Sequence, residues 1–214
     1  MCGVFGFVSA DEKTTPDMDH LARIARVTET RGKHAWGMSW IDGAGVLRSF
    51  KKTGRITDNL ALLKMAADAR MLIGHCRYAT EGSYDNNVNN HPHPCDGGWI
   101  VHNGMIPTWE TLVEEHGLHL NSECDSEVLA LLMEKFSGSL MERMTAAIDC
   151  VRYGQPLVML GLWKPGRLLA ARRGNPLSIG ETKRGTYLAS LPEGLPGKVS
   201  AVPNNRIMEF GPCE

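Results

Sequence analysis

The chain has 214 residues and a mass of 23.5 kDa, enough for one large domain or two small ones. Apolar residues make up 43% and charged residues 22%, which excludes a disordered tail or a charged coiled coil and implies a sizeable buried core. Lys plus Arg is 23 against 24 Asp plus Glu, a net charge of −1 with no run of five like charges, so nothing basic invites nucleic acid or an anionic membrane.

The N-terminal stretch over residues 4–8 is β-branched and aromatic, and it reads as a buried strand. Asp11, Glu12 and Lys13 interrupt it too early for a secretory signal, and no apolar run approaches the ~18 residues of a membrane span. The expected place is the cytosol. Cys2, Cys76, Cys95, Cys124, Cys150 and Cys213 are too sparse for a disulfide scaffold and have no C-x-x-C spacing, so free thiols are expected.

Asp17 is placed to cap a helix whose Met18, Leu21, Ala25 and Thr28 share a face and which ends near Gly32. Strands at 36–41 and 46–50 flank Asp42-Gly43-Ala44-Gly45, a hairpin signal. A helix fits 58–70 and a strand 71–77. Residues 81–98 are rich in Asn, His, Pro and Gly and read as one long loop, a length often tied to function. A strand at 99–102 and a helix at 108–116 closed by Gly117 follow. Ser122 and Asp125 have capping-box spacing before a helix at 128–136, and Ser139 and Glu142 repeat the signal. Beyond Pro156, short strands alternate with turn residues, an antiparallel pattern. Together these elements predict an α+β fold with helices packed on antiparallel sheets, favouring a single domain over 1–214.

Met1-Cys2-Gly3 carries the most chemistry. Removal of the initiator Met leaves a thiol (reference pKa ~8.5) and a free α-amine (~7.7 to 8.0) on one residue, so the amine can take the thiol proton without a separate His. The plainer alternative is a small core residue beside a strand. The motifs Met1-Cys2-Gly3-Val4-Phe5-Gly6, Thr30-Arg31-Gly32, Gly74-His75-Cys76-Arg77-Tyr78-Ala79-Thr80-Glu81-Gly82, Asn89-Asn90-His91-Pro92-His93, Val101-His102-Asn103-Gly104 and Ser122-Glu123-Cys124-Asp125-Ser126-Glu127 come in the order of class II glutamine amidotransferases. The chain resembles the glutaminase domains of glucosamine-6-phosphate synthase and amidophosphoribosyltransferase over essentially its whole length.

That resemblance implies a four-layer αββα sandwich of the N-terminal nucleophile hydrolase type, with no cofactor and no metal. It implies that Cys2 attacks the side-chain amide of L-glutamine, forming a thioester and releasing ammonia, with Asn103 and Gly104 at the oxyanion positions. Taken alone, Asn103-Gly104 reads as a type I′ turn. Arg77 matches the clamp on the substrate α-carboxylate and Asp125 the partner of its α-ammonium, while Tyr78, Thr80, Glu81 and Gly82 complete the pocket. Without the family, Arg77 reads as a surface ion pair and Asp125 as a helix cap.

The synthase pattern commonly has Trp and His where this chain has Tyr78 and Glu81, and the 33–36 segment also departs from it. Glu81 weakens substrate binding only if its side chain points inward. His91-Pro92-His93-Pro94-Cys95 invites a zinc reading, but the family has the same His-Pro-His stretch without metal, and no fourth ligand has clear spacing. Because no synthase segment is recognised, the expectation is a stand-alone glutaminase subunit feeding ammonia to a separate acceptor protein. The alternatives are a hydrolase of another γ-glutamyl amide and a non-catalytic glutamine sensor.

Overall fold

In the computed structural model, which describes residues 1–152 and 154–211, β1 (Gly3–Ser9) sends its side chains to two different cores. Phe5 and Phe7 pack outward under α1 (Met18–Glu29), while Val4 and Val8 face a second sheet. Every second residue can be buried on a different side only because both faces are covered.

The remaining strands are β2 (Ala35–Ile41), β3 (Leu47–Thr53), β4 (Met71–Arg77), β5 (His93–Cys95), β6 (Gly98–Gly104), β7 (Leu157–Trp163), β8 (Arg167–Arg173), β9 (Ser178–Thr182), β10 (Gly185–Ala189), β11 (Lys198–Ala201) and β12 (Arg206–Phe210). All pairings are antiparallel, as expected beyond Pro156. One sheet runs β11-β9-β10-β1-β4-β2-β3 and the other β12-β8-β7-β6-β5. Between them Val4, Ile73, Val101, Val158, Leu160 and Leu188 form a common apolar layer. Helices α2 (Trp109–His116), α3 (Glu127–Lys135) and α4 (Leu140–Cys150) cover the outer face of the five-stranded sheet through Leu112, Val128, Leu132 and Met144. The layers are helix, sheet, sheet, helix: the four-layer αββα sandwich expected from the resemblance.

Local signals held where their partners are close in sequence. Asp17 caps α1 by accepting from the Asp19 and His20 amides, Gly117 closes α2 at φ 57°, and Ser139 with Glu142 forms a full capping box on α4. The β2–β3 hairpin forms as read, its turn tied by Asp42 Oδ1 accepting from the Ala44 and Val46 amides.

Four expectations need correction. Helix α1 stops at Glu29, with Thr30 bonding back to Val27. The helix read over 58–70 is a 3₁₀ segment over Thr57–Ala66, broken at Asn59 (φ −131°, ψ 21°), whose side-chain amide donates to the Arg55 carbonyl. The loop at 81–98 contains a short 3₁₀ turn over Asn87–Asn89 and the edge strand β5, where Pro94 can sit because it owes no hydrogen bond on the open side. Ser122 and Asp125 do not cap α3; the Glu127 carboxylate instead reaches back to the Asn121 amide at 3.0 Å and the Ser122 amide at 2.7 Å. Cys213 lies outside the described residues; Cys2, Cys76, Cys95, Cys124 and Cys150 are free thiols, as expected.

Candidate active site

Cys2 precedes β1, the strand held between β10 and β4. Its Sγ lies 3.3 Å from the backbone N of Tyr78 and 3.4 Å from the Tyr78 carbonyl oxygen, just past the end of β4. Two glycines allow this approach. A Cβ on Gly3 would stand 2.6 Å from Thr28 Cγ2, and one on Gly32 2.5 Å from the Arg77 carbonyl carbon, so the end of α1 closes onto the starts and ends of the two central strands only without side chains there. Arg31 Nε then donates to the Cys2 carbonyl at 2.7 Å. Burial raises the Cys2 thiol pKa; the Tyr78 backbone bond, the Met1 ammonium and the Arg77 guanidinium oppose that shift, and the Asp125 carboxylate adds to it. Arg77 and Asp125 therefore both lie within electrostatic reach of the sulfur.

Arg77 is the last residue of β4 and is buried. Its guanidinium donates to Asn90 Oδ1 at 2.8 Å, to the Gly82 carbonyl at 3.3 Å and to the Glu81 carbonyl. These partners are all neutral, and among the described residues Arg77 has no ion pair within 4 Å. The surface ion pair is thus not its role. Asn89 and Asn90 hold the loop that supplies these carbonyls: Asn90 donates to the Tyr84 carbonyl at 2.8 Å, and Asn89 exchanges bonds with Glu123. Glu81 offers Arg77 its backbone oxygen and leaves its side chain exposed; Thr80 is exposed as well and Tyr78 partly so. The ring of His34 stacks on Tyr78 and on Tyr84, with centroids 4.7 and 4.8 Å away, and its Nδ1 accepts from the Ala79 amide.

Asp125 is buried and accepts from the Ile106 amide at 2.7 Å through Oδ2, which ties the segment after β6 to the start of α3. Its second oxygen takes only the Ser126 hydroxyl at 3.2 Å and a long contact from the Cys124 thiol at 3.8 Å. Asn103-Gly104 is not a turn. Both residues lie in the ladder of β6, opposite Val158 and Leu157, and Asn103 is buried with no partner for Nδ2 among the described residues. Gly104 is needed there because a Cβ would meet His102 Nε2 at 2.6 Å. Across the sandwich, His75 Nε2 bonds the His102 carbonyl at 3.0 Å, so the end of β4 that carries Arg77 is fixed against the end of β6 that carries Asn103.

Three neighbours escaped the sequence reading. Lys51 on β3 is pulled down to about 8 by burial, against the pull of Cys124 and Glu127 and with reinforcement from Arg77. Cys124 comes against His91, whereas Cys95, the thiol beside the His-Pro-His stretch, points to the Ala130 carbonyl in the outer core. His34 lay in a segment that only departed from a pattern. None has a spacing signal, because each reaches the site through long-range pairing.

No protein-family model matches the chain. It is 33% identical over 201 residues to glutamine–fructose-6-phosphate aminotransferase (isomerizing) of Escherichia coli K12, a match covering 89% of this chain and 32% of that protein. The same protein of Aquifex aeolicus is 32% identical over 222 residues, 99% of this chain and 36% of the relative. The chain thus spans about a third of the length of the curated relatives it matches. Among solved structures, glutamine phosphoribosylpyrophosphate amidotransferase from B. subtilis superposes with a TM-score of 0.73 at 21% identity, over 98% of this chain and 49% of that one. A glutamine aminotransferase class-II domain protein from Silicibacter pomeroyi gives 0.61 at 15%, covering 99% and 95%. The resemblance drawn from the motifs therefore holds: the chain is similar to class II glutamine amidotransferases and shares the fold of these two solved structures.

Proposed function

We propose that this chain, similar in sequence and fold to class II glutamine amidotransferases, hydrolyses the side-chain amide of L-glutamine through Cys2. The supporting observation is Arg77, a buried guanidinium beside a thiol whose protein partners are all neutral oxygens. A buried charge without a counter-charge is costly, and a substrate carboxylate would supply one. Asp125, with one oxygen only weakly engaged, is suited to the α-ammonium. Tyr78, Thr80 and the backbone of Glu81 and Gly82 complete the head-group pocket.

Removal of Met1 frees the Cys2 α-amine, which takes the thiol proton as the sulfur attacks the amide carbon. Negative charge then grows on the amide oxygen, where Asn103 Nδ2 and the Gly104 N–H serve as donors. The amine returns the proton to the departing ammonia, and water releases glutamate from the thioester. No cofactor takes part. The relatives' name pairs glutamine with a sugar phosphate, and on that ground we place the ammonia acceptor on a synthase, here taken as a separate protein. A γ-glutamyl amide with a larger leaving group is the second reading. It is favoured by the partly exposed Tyr78 and Tyr84 rings stacked on His34 beside Cys2, and a γ-glutamyl anilide turned over faster than glutamine would establish it.

The test is covalent. A diazo-ketone analogue of glutamine is expected to label one cysteine stoichiometrically, and peptide mapping should place the label on Cys2 of a chain that begins at that residue. Labelling of Cys76, Cys95, Cys124, Cys150 or Cys213 instead would sink the assignment, since none of these carries an α-amine.

A further inference from the structure

Beside the Cys2 site, two imidazoles and a thiol from separate segments meet in the interior. His91, His93 and Cys124 are all buried, and one ligand atom from each lies within 4.8 Å of the other two. Cys124 Sγ is 4.0 Å from His91 Nε2. The rings of His91 and His93 meet edge to face, with centroids 4.6 Å apart and planes at 77°, instead of lying flat on one another. His93 Nε2 has no hydrogen-bond partner among the described residues, nor has Nδ1 of His91, the ring nitrogen other than the one nearest Cys124. Buried ring nitrogens left in that state are unusual.

We propose that His91, His93 and Cys124 form a three-coordinate site for a soft d¹⁰ cation, cuprous copper in the first place. The distances suit it. With metal–sulfur and metal–nitrogen bonds of about 2.3 and 2.05 Å, a trigonal ion sets sulfur and nitrogen about 3.8 Å apart, close to the separation of Cys124 and His91. The widest pair has to close by roughly 1 Å, within reach of small side-chain rotations. Thiolate and imidazole are the donors such an ion prefers. Charge selects among candidates. Lys51 and Arg77 face the cluster as cations and Asp125 as a carboxylate, one positive charge in excess. A cuprous thiolate adds no net charge to that balance, whereas a zinc thiolate adds one positive charge in the interior. Binding forms one metal–sulfur and two metal–nitrogen bonds, sends the thiol proton to solvent and changes no oxidation state. The ion would fasten Cys124, and with it Asp125, to the segment leading into β5.

The site is independent of the glutaminase reading, and its test has no activity readout. The full chain is titrated without oxygen against Cu(I) held by a chromophoric chelator, and in parallel against buffered Zn²⁺. The expected result is one equivalent of Cu(I) bound, a raised melting temperature, and at least a hundredfold weaker binding in Cys124→Ser. Cys95→Ala and Cys2→Ser should keep the parent affinity. X-ray absorption of the loaded parent should show one sulfur and two nitrogen neighbours, a readout that stands even if Cys124→Ser misfolds. Zinc bound in place of copper, and lost in the same variant, supports the site and reassigns the ion. No stoichiometric metal, equal binding by Cys124→Ser, or a shell without sulfur overturns it.

Discussion

An amide nitrogen buried without an acceptor costs about 1 to 3 kcal/mol, and Asn103 carries one in the ladder of β6. A residue serving only the fold would not keep that cost, so the expectation for Asn103→Ala separates two roles. If Nδ2 serves a developing oxyanion, kcat for glutamine should fall by roughly 10² to 10³ with little change in KM, while the melting temperature holds or rises. If stability falls and only KM changes, Asn103 is a packing residue. At this scale Cys2, Arg77 and Asn103 were singled out by motif, and the structure brings Arg77 within electrostatic reach of Cys2 and leaves Asn103 Nδ2 without a partner among the described residues. The sequence was silent on Lys51 and gave Cys124 no role beyond a motif position and a free thiol; the two owe their places to β3 and to the segment before α3.

Elements were legible in proportion to how locally they are held. The Asp42 turn, the Gly117 stop and the Ser139–Glu142 box each close within a few residues and were read correctly. The 3₁₀ segment was misread as an α-helix because a residue far back in the chain organises its start. Glu29, buried at the end of α1, accepts from the Thr57 amide at 2.8 Å and the Thr57 hydroxyl at 2.9 Å and pairs with Arg55 at 2.8 Å. Burial pushes its carboxyl up, but the Thr57 amide, Arg55 and the Thr57 hydroxyl together hold it below its ordinary value. The stability this gives is complete above the unfolded value of ~4.3 and is lost as pH falls through the lower folded value. Glu29→Gln should therefore cost about 2 kcal/mol, or roughly 4 to 8 °C in melting temperature, at pH 7. The gap should shrink below about pH 4. A gap that stays constant down to pH 3 would show that shape, not charge, holds the segment.

At the scale of the whole molecule, β1 pairs with β10, more than 170 residues away, and with β4; no periodicity announces such an order. The apolar pattern specified an α+β chain, and the resemblance supplied the four layers. A polar contact joins the two sheets at the site end: His75 of β4 bonds the carbonyl of buried His102 on β6, whose Nδ1 bonds Ser126 at the start of α3 at 2.8 Å. Burial drives the His102 imidazole down to about 4, with Asp125 opposing and Arg173 reinforcing the shift, and burial takes His75 to about 3. Both rings stay neutral while the unfolded chain takes up protons below ~6.5. Between that value and about 4, unfolding therefore binds a proton at His102, and stability falls with falling pH. Carboxylates such as Glu29 act lower, so the upper window is where buried imidazoles such as His102 and His75 contribute. The parent melting temperature should drop steadily from pH 6.5 to 4.5, and His102→Gln, though less stable at pH 7, should follow a shallower slope. The two curves should converge by about 2 kcal/mol, roughly 4 to 8 °C. Parallel curves over that range would mean that His102 takes up no proton on unfolding, and the acid sensitivity of the sandwich would have to originate elsewhere.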